Sequence, residues 1–92
     1  MPAYKELFQR YPNRIFIETG SYVGDGIQSA LDAGFETIYS IELSSQLFSH
    51  CCRRFEWDPR VLVCHGDSGE MLPGILKYID EPVTFWLDSH YS

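Results

Sequence analysis

A chain of 92 residues, 45% of them hydrophobic and 15% aromatic, is long enough for one small domain with a core of its own. Its 7 basic and 13 acidic side chains leave a net charge of −6, which argues against a nucleic-acid partner because phosphate binding needs clustered Lys and Arg. The longest apolar runs are shorter than the ~18 residues that a membrane span requires, so no membrane association is expected.

The cysteines and the first residues both bear on the cellular compartment. Cys51, Cys52 and Cys64 are odd in number and lack the spacing of a disulfide framework, which predicts reduced thiols. The opening residues, Met-Pro-Ala-Tyr-Lys-Glu, do not resemble a signal peptide. Together these features predict a cytoplasmic protein.

Helices and strands alternate along the whole chain. Apolar residues at helical spacing in 3–10 predict a short helix, and β-branched or apolar runs predict four strands. The predicted elements, in order, are a helix at 3–10, a strand at 14–18, a helix at 25–33, a strand at 37–42, a helix from Ser44 to Phe55, a strand from Arg60 to His65, a helix from Ser68 that Pro73 shortens or kinks, and a strand at 83–88.

This alternation is typical of an α/β fold. Parallel strands joined by helices require right-handed crossovers, and the most economical strand order for four strands is 3-2-1-4. The sequence therefore predicts a single domain spanning residues 1–92, a three-layer sandwich with a parallel, Rossmann-like sheet of about four strands.

An acidic residue stands at the end of each predicted strand: Glu18, Glu42, Asp67 and Asp88. The carboxyl ends of parallel strands lie at one edge of the sheet, where open α/β sheets bind ligands. The four acids are therefore expected to line one cleft. The alternative is that they cap the helices that follow, because acidic residues are common at helix N-termini.

The balance between ligand binding and helix capping differs from one acid to the next. Asp67 is followed by Glu70 in a pattern that resembles a capping box, so capping and ligand binding are equally consistent with it. Ser44 is the better cap after the second strand, which favours a ligand role for Glu42.

A glycine-rich turn connects the first strand to the next helix. Gly20, Gly24 and Gly26 follow Glu18 within eight residues, which lets the backbone approach a ligand closely. The order differs from the dinucleotide fingerprint G-x-G-x-x-G, because the longer interval comes first. Glu42 follows Gly20 by about 20 positions, the spacing of the acid that binds ribose hydroxyls after such a loop.

These motifs resemble the class I S-adenosylmethionine-dependent methyltransferases. The shared features are Glu-x-Gly-x-x-x-Gly-x-Gly on strand 1, an acid ending strand 2, Gly-Asp-Ser after strand 3 and Phe-Trp-Leu-Asp on strand 4. The resemblance covers residues 14–90 and implies the N-terminal, cofactor-binding half of a family member, truncated relative to its seven strands.

The resemblance implies a role for each matching residue toward the cofactor, S-adenosylmethionine. The methionine part would be held by Glu18 and by the glycine loop, through Gly20, Ser21, Gly24 and Gly26. Glu42 would bind the ribose hydroxyls, and Asp67 with Ser68 would meet the adenine.

Asp88 is the candidate catalytic residue, because the resemblance places it near the transferred methyl group. In some small-molecule O-methyltransferases of this class, an acid at that strand end binds a divalent metal. Asp88 and His90 are candidates for such ligands, but two ligands are too few to predict a metal site.

Three functions follow, in order of preference. The first is a methyltransferase domain acting on a small-molecule acceptor. The second is a non-catalytic fragment or assembly module that retains the fold, and the third is a nicotinamide-dinucleotide-binding domain of an oxidoreductase. An apolar fourth strand at the edge of the sheet predicts a homo-oligomer, or further sequence, that covers it.

Overall fold

The computed structural model describes residues 5–87, and all eight predicted elements lie at their expected places. The helices are α1 (Lys5–Gln9), α2 (Asp25–Ala33), α3 (Ser45–Arg54) and α4 (Ser68–Leu76), and the strands are β1 (Ile15–Thr19), β2 (Thr37–Glu42), β3 (Val61–His65) and β4 (Val83–Leu87). The bounds of α2 and β2 coincide with the prediction. The helix α1 ends at Gln9, one residue before the predicted end, and residues 3 and 4 of the predicted helix lie outside the described residues.

The four strands form one parallel sheet in the order β3-β2-β1-β4. The strand β1 is central, and its Ile17 pairs with Tyr39 of β2 on one side and with Phe85 of β4 on the other. The predicted Rossmann-like α/β fold and its strand order are confirmed.

Helices cover the sheet on both faces. The first face carries the main core, in which Phe16 and Ile38 pack with Phe8 of α1, Ile27 of α2 and Cys51 of α3. The helix α4 contacts β2. Because the connection from β3 returns past β1 to β4, a right-handed crossover places α4 on the opposite face. The expected three layers are therefore present.

Helix ends follow the sequence signals closely. Ser44 is the N-cap of α3, since its Oγ accepts the amide of Leu47 at 3.3 Å. Gly34 follows α2 in the left-handed conformation, and its amide is bonded to carbonyls of the last helical turn. Pro73 lies inside α4, which continues to Leu76, so the proline does not end this helix.

The strand β4 forms one edge of the sheet and is only partly covered. Phe85 is 42% exposed and Leu87 is 71% exposed. Coverage of this edge by a second copy of the chain stays a prediction. Within residues 5–87, none of the helices is long and apolar enough to cross a membrane.

Candidate functional site

The carboxyl edge of the sheet brings together three of the four strand-end acids. Glu18 and Glu42 lie near the ends of the adjacent strands β1 and β2, and Asp67 follows β3. Asp88 and His90, the candidates for catalysis and for a metal, lie outside the described residues. The expected convergence of Glu18, Glu42 and Asp67 on one edge therefore agrees with the strand order.

Glu18 is a buried acid, with only 2% of the residue exposed. Its Oε1 accepts a hydrogen bond from Ser40 Oγ at 2.7 Å, and that hydroxyl is bonded in turn to Ser21 Oγ. Its Oε2 lies against Gly26, so closely that a Cβ at this position would collide with the carboxylate. Glu18 therefore joins β1, β2 and the start of α2 beneath the glycine loop.

The loop between β1 and α2 has an unusual backbone. Gly20, Tyr22 and Gly24 have φ angles of 87°, 52° and 101°, all in the left-handed region that non-glycine residues rarely adopt. At Gly24 a Cβ would also stand 2.6 Å from a ring carbon of Phe55. The sequence places a glycine where both the backbone angle and the close approach of α3 require one.

Glu42 is held by two backbone amides. Its Oε1 accepts the amide of Tyr22 at 3.0 Å, and its Oε2 accepts the amide of Ser44 at 2.9 Å. The residue is 7% exposed. An ionised carboxylate offers about four acceptor sites, so each oxygen keeps capacity for one further donor. The two amides fix the direction in which that remaining capacity points.

Asp67 is an exposed helix cap. Its Oδ2 accepts the amide of Glu70 at 3.0 Å, and Ser68 is the first residue of α4. The capping interpretation of Asp67 is confirmed, and the carboxylate remains accessible at the edge of the cleft. The adenine contact of Asp67 and Ser68 stays a prediction.

Two further residues at this edge frame the end of β2. His65 Nε2 donates to the carbonyl of Leu43 at 3.1 Å, and its ring stacks on Phe48 with the centroids 5.1 Å apart. Leu43, which directly follows Glu42, exposes about half of its surface. His65 is exposed and lies beside the end of β2 at this edge.

The helix α3 also contacts the glycine loop. Cys51 Sγ donates to the carbonyl of Tyr22 at 3.1 Å, and Arg54 Nη1 donates to the carbonyl of Val23 at 2.7 Å. Burial, with the nearby charges of Glu18 and Glu42, raises the pKa of Cys51 from 9.0 to about 12. Cys51 is therefore a protonated thiol at neutral pH, and it lies in the core.

The sequence interpretation did not single out Ser40, Cys51 or Arg54 as site residues. A usable signal existed for Ser40, since a short polar side chain between the apolar residues of a buried strand is expected to have a buried polar partner. Cys51 and Arg54 carried no such signal, because they lie 29 and 31 residues from the carbonyls that they contact.

The site chemistry is that of oxygen acceptors and backbone amides. In the part of the chain that the structure describes, no group of three or more His, Cys, Asp or Glu side chains is placed to hold a metal ion. Two buried carboxylates and one exposed one at the same edge favour a ligand that carries hydroxyl donors and positive charge.

Solved structures share this architecture, although no protein-family model and no curated protein matches the chain. A protein of Staphylococcus aureus described as a caffeoyl-CoA O-methyltransferase superposes with a TM-score of 0.62 at 16% identity, over 77% of this chain and 36% of that one. YjhP of E. coli superposes with a TM-score of 0.58 at 25% identity, over 74% of this chain and 31% of that one.

The chain thus spans about a third of the length of the structures that it matches. The shared part is the four-stranded parallel sheet with its helices. The chain therefore has a class I S-adenosylmethionine-dependent methyltransferase-like fold, of which it covers a part.

Proposed function

We propose that the chain binds S-adenosylmethionine at the carboxyl edge of its sheet, as the cofactor-binding part of a methyltransferase. The observation that carries this proposal is the geometry of Glu42. Its two oxygens are fixed by the amides of Tyr22 and Ser44, yet each retains capacity to accept a hydroxyl. This arrangement suits the two adjacent hydroxyls of a ribose.

The charge of the edge supports the same ligand. The cofactor carries a sulfonium and an ammonium group. Three acids near this edge, the buried Glu18 and Glu42 and the exposed Asp67, favour a ligand with positive charge. When bound, the cofactor supplies a methyl group on a positively charged sulfur, which a nucleophilic acceptor can take by in-line displacement. The role of the chain is to bind the cofactor and orient its methyl group toward the acceptor. Such positioning can provide much of the rate enhancement.

Each site residue has a distinct part in the proposal. The backbone from Gly20 to Gly26, with Ser21 and Gly24, surrounds the methionine part, and Glu18 supports that backbone from beneath. Glu42 binds the ribose. Asp67 and Ser68 meet the adenine, and the exposed surface of Leu43 lies beside it.

Methyl transfer to a small-molecule acceptor is the activity proposed for the complete site. Asp88, which follows β4, is the candidate base near the transferred methyl group. Cofactor binding and methyl transfer are separate steps, and binding can be measured without knowing the acceptor. Binding is therefore tested first.

The test is calorimetric titration with S-adenosylhomocysteine, for the natural chain and for Glu42→Gln. The amide nitrogen of Gln would face one of the two backbone N–H donors, so we expect a loss of about tenfold or more in affinity. The matched control is Glu56→Gln. Glu56 is an exposed acid in the turn after α3, and this variant should bind as the natural chain does. Equal affinity of Glu42→Gln would contradict the ribose role.

NADH serves as the second ligand in the same titration. Saturable binding of NADH alone would favour the nucleotide-binding domain of an oxidoreductase. Binding of neither ligand, by a chain that circular dichroism shows to be folded, would favour the non-catalytic module.

A further inference from the structure

The glycine loop between β1 and α2 is held by side chains of α3 as well as by the strand-end acids beneath it. Three backbone groups of the loop are bonded to side chains: the Tyr22 amide to Glu42, the Tyr22 carbonyl to Cys51 and the Val23 carbonyl to Arg54. Two of these three contacts come from α3, a helix that carries none of the motif residues. Arg54 also pairs with Asp25, the first residue of α2, at 3.2 Å.

The backbone at this point needs such support. Tyr22 has a φ of 52°, a conformation that costs free energy in a residue with a Cβ. Such a residue keeps its conformation when the surrounding structure imposes it. Cys51 bonds the carbonyl of the Tyr22–Val23 peptide and Arg54 bonds that of the Val23–Gly24 peptide, so these contacts fix the two peptide units that follow Tyr22. Together with the bond from the Tyr22 amide to Glu42, they hold the backbone on both sides of Tyr22.

Both donors are suited to a permanent contact. Cys51 is fully buried and retains its proton, so its Sγ–H is available as a donor at neutral pH. The guanidinium of Arg54 is always charged, and at 2.7 Å its bond to the Val23 carbonyl is short. The Arg54 side chain also lies over the Phe55 ring, 5.0 Å from its centroid, which restricts its motion.

We propose that Cys51 and Arg54 are positioning residues that set the affinity of the carboxyl-edge site by fixing the glycine loop in its binding conformation. They act through the loop backbone and do not touch the ligand. The inference rests on the proposed function for the nature of the ligand. The contacts themselves belong to the free chain, so loop order can be measured without any ligand.

The first test compares two neighbouring arginines of α3. Arg54→Gln removes the contacts to Val23 and Asp25, whereas Arg53→Gln removes the same charge from an exposed position. We expect the affinity for S-adenosylhomocysteine to fall about five- to tenfold in Arg54→Gln and to stay within about twofold in Arg53→Gln. Equal losses of affinity in the two variants would show that only the net charge matters, and would overturn the proposal.

The second test separates the donor from the packing at Cys51. Cys51→Ala removes the donor to the Tyr22 carbonyl, and Cys51→Ser retains one at the same position. Weaker binding by the alanine variant, with recovery by the serine variant, is the expected result. Equal binding by the alanine variant and the natural chain would overturn the role of Cys51.

Amide hydrogen exchange of the ligand-free chain distinguishes failure of this inference from failure of the proposed function. In Arg54→Gln the amides of Tyr22 and Gly24 should exchange faster, while amides in β1 and β2 keep their protection. Unchanged exchange at Tyr22 and Gly24 would overturn the inference whatever the chain binds. If the natural chain binds no S-adenosylhomocysteine, the proposed function fails and the affinity role fails with it, whereas faster exchange would still establish that α3 fixes the loop.

Discussion

Two regions of the carboxyl edge differ in how completely their side chains are bonded and buried. The β1–β2 side is the centre of the edge, and the α4 side comprises the outer strands β3 and β4 with the helix α4 that joins them. Glu18 and Glu42 are almost fully buried, and their carboxylates accept bonds from the Ser40 hydroxyl and from the amides of Tyr22 and Ser44. On the other side Asp67 is exposed, and α4 has no fully buried residue among its nine. Leu87 at the end of β4 is largely exposed.

The β1–β2 side therefore has the character of a preorganised binding site, whereas the α4 side is an exposed surface. Fixed backbone amides and buried carboxylates orient acceptors in advance, which lowers the cost of binding a ligand there. Exposed side chains on the α4 side contribute little to the free energy of folding, so substitutions of them should have small effects. Substitutions on the β1–β2 side should therefore alter both stability and binding. Substitutions of exposed residues on the α4 side, beyond the cap Asp67 and Ser68, should alter neither strongly.

The largest expected effect contrasts two helical glycines. Gly26→Ala places a Cβ against the Glu18 carboxylate, which should lower the free energy of unfolding by about 1–3 kcal/mol and abolish binding of S-adenosylhomocysteine. Gly74→Ala in α4 meets no atom within 4 Å and should raise stability by about 0.5–1 kcal/mol. Urea unfolding of both variants measures the contrast. Equal effects in the two helices would remove the distinction between the two sides.

The next effect concerns the hydroxyl beneath the loop. Ser40→Ala deprives the buried Glu18 carboxylate of one donor and should cost about 1–3 kcal/mol of stability. Ser49→Ala, on the exposed face of α3, should change stability by less than about 0.5 kcal/mol. Thermal unfolding of the two variants in parallel is the measurement, and a Ser40→Ala chain as stable as Ser49→Ala would contradict the buried network.

A pH dependence of stability follows from the raised pKa of Cys51. Between pH 9.0 and about 12 the unfolded thiol loses its proton while the folded one keeps it, so the unfolded state binds fewer protons and stability falls as pH rises. The loss should be on the order of 1 kcal/mol at pH 10 relative to pH 8. Cys51→Ser should show a smaller loss over the same interval, measured by urea unfolding. An identical pH profile in both proteins would show that the thiol is not protected.

The smallest effect on stability is expected at β4. Leu87→Lys alters an exposed side chain and should change the free energy of unfolding by less than about 0.5 kcal/mol. If a second copy covers this edge, the substitution should nevertheless shift the chain toward monomer in sedimentation velocity. A natural chain that sediments as a monomer would contradict the predicted homo-oligomer.

The sequence was sufficient to predict the features that depend on local pattern. Alternating elements determined the strand order, and the caps at Ser44 and Asp67 followed from residue types at helix starts. The contact between Glu18 and Ser40 could not be predicted in the same way, because it depends on the register of β1 against β2. The contacts of Cys51 and Arg54 depend on how α3 packs across a distant loop.

The central claim is that the β1–β2 side of the edge is the ligand site, and an amide NMR titration with S-adenosylhomocysteine tests it most directly. We expect saturable shifts concentrated at the amides from Gly20 to Gly26 and from Glu42 to Ser44, with little change in α4 beyond Ser68 and with no response to NADH. A folded chain that shows no shifts, or shifts confined to α1 and β4, would contradict the account.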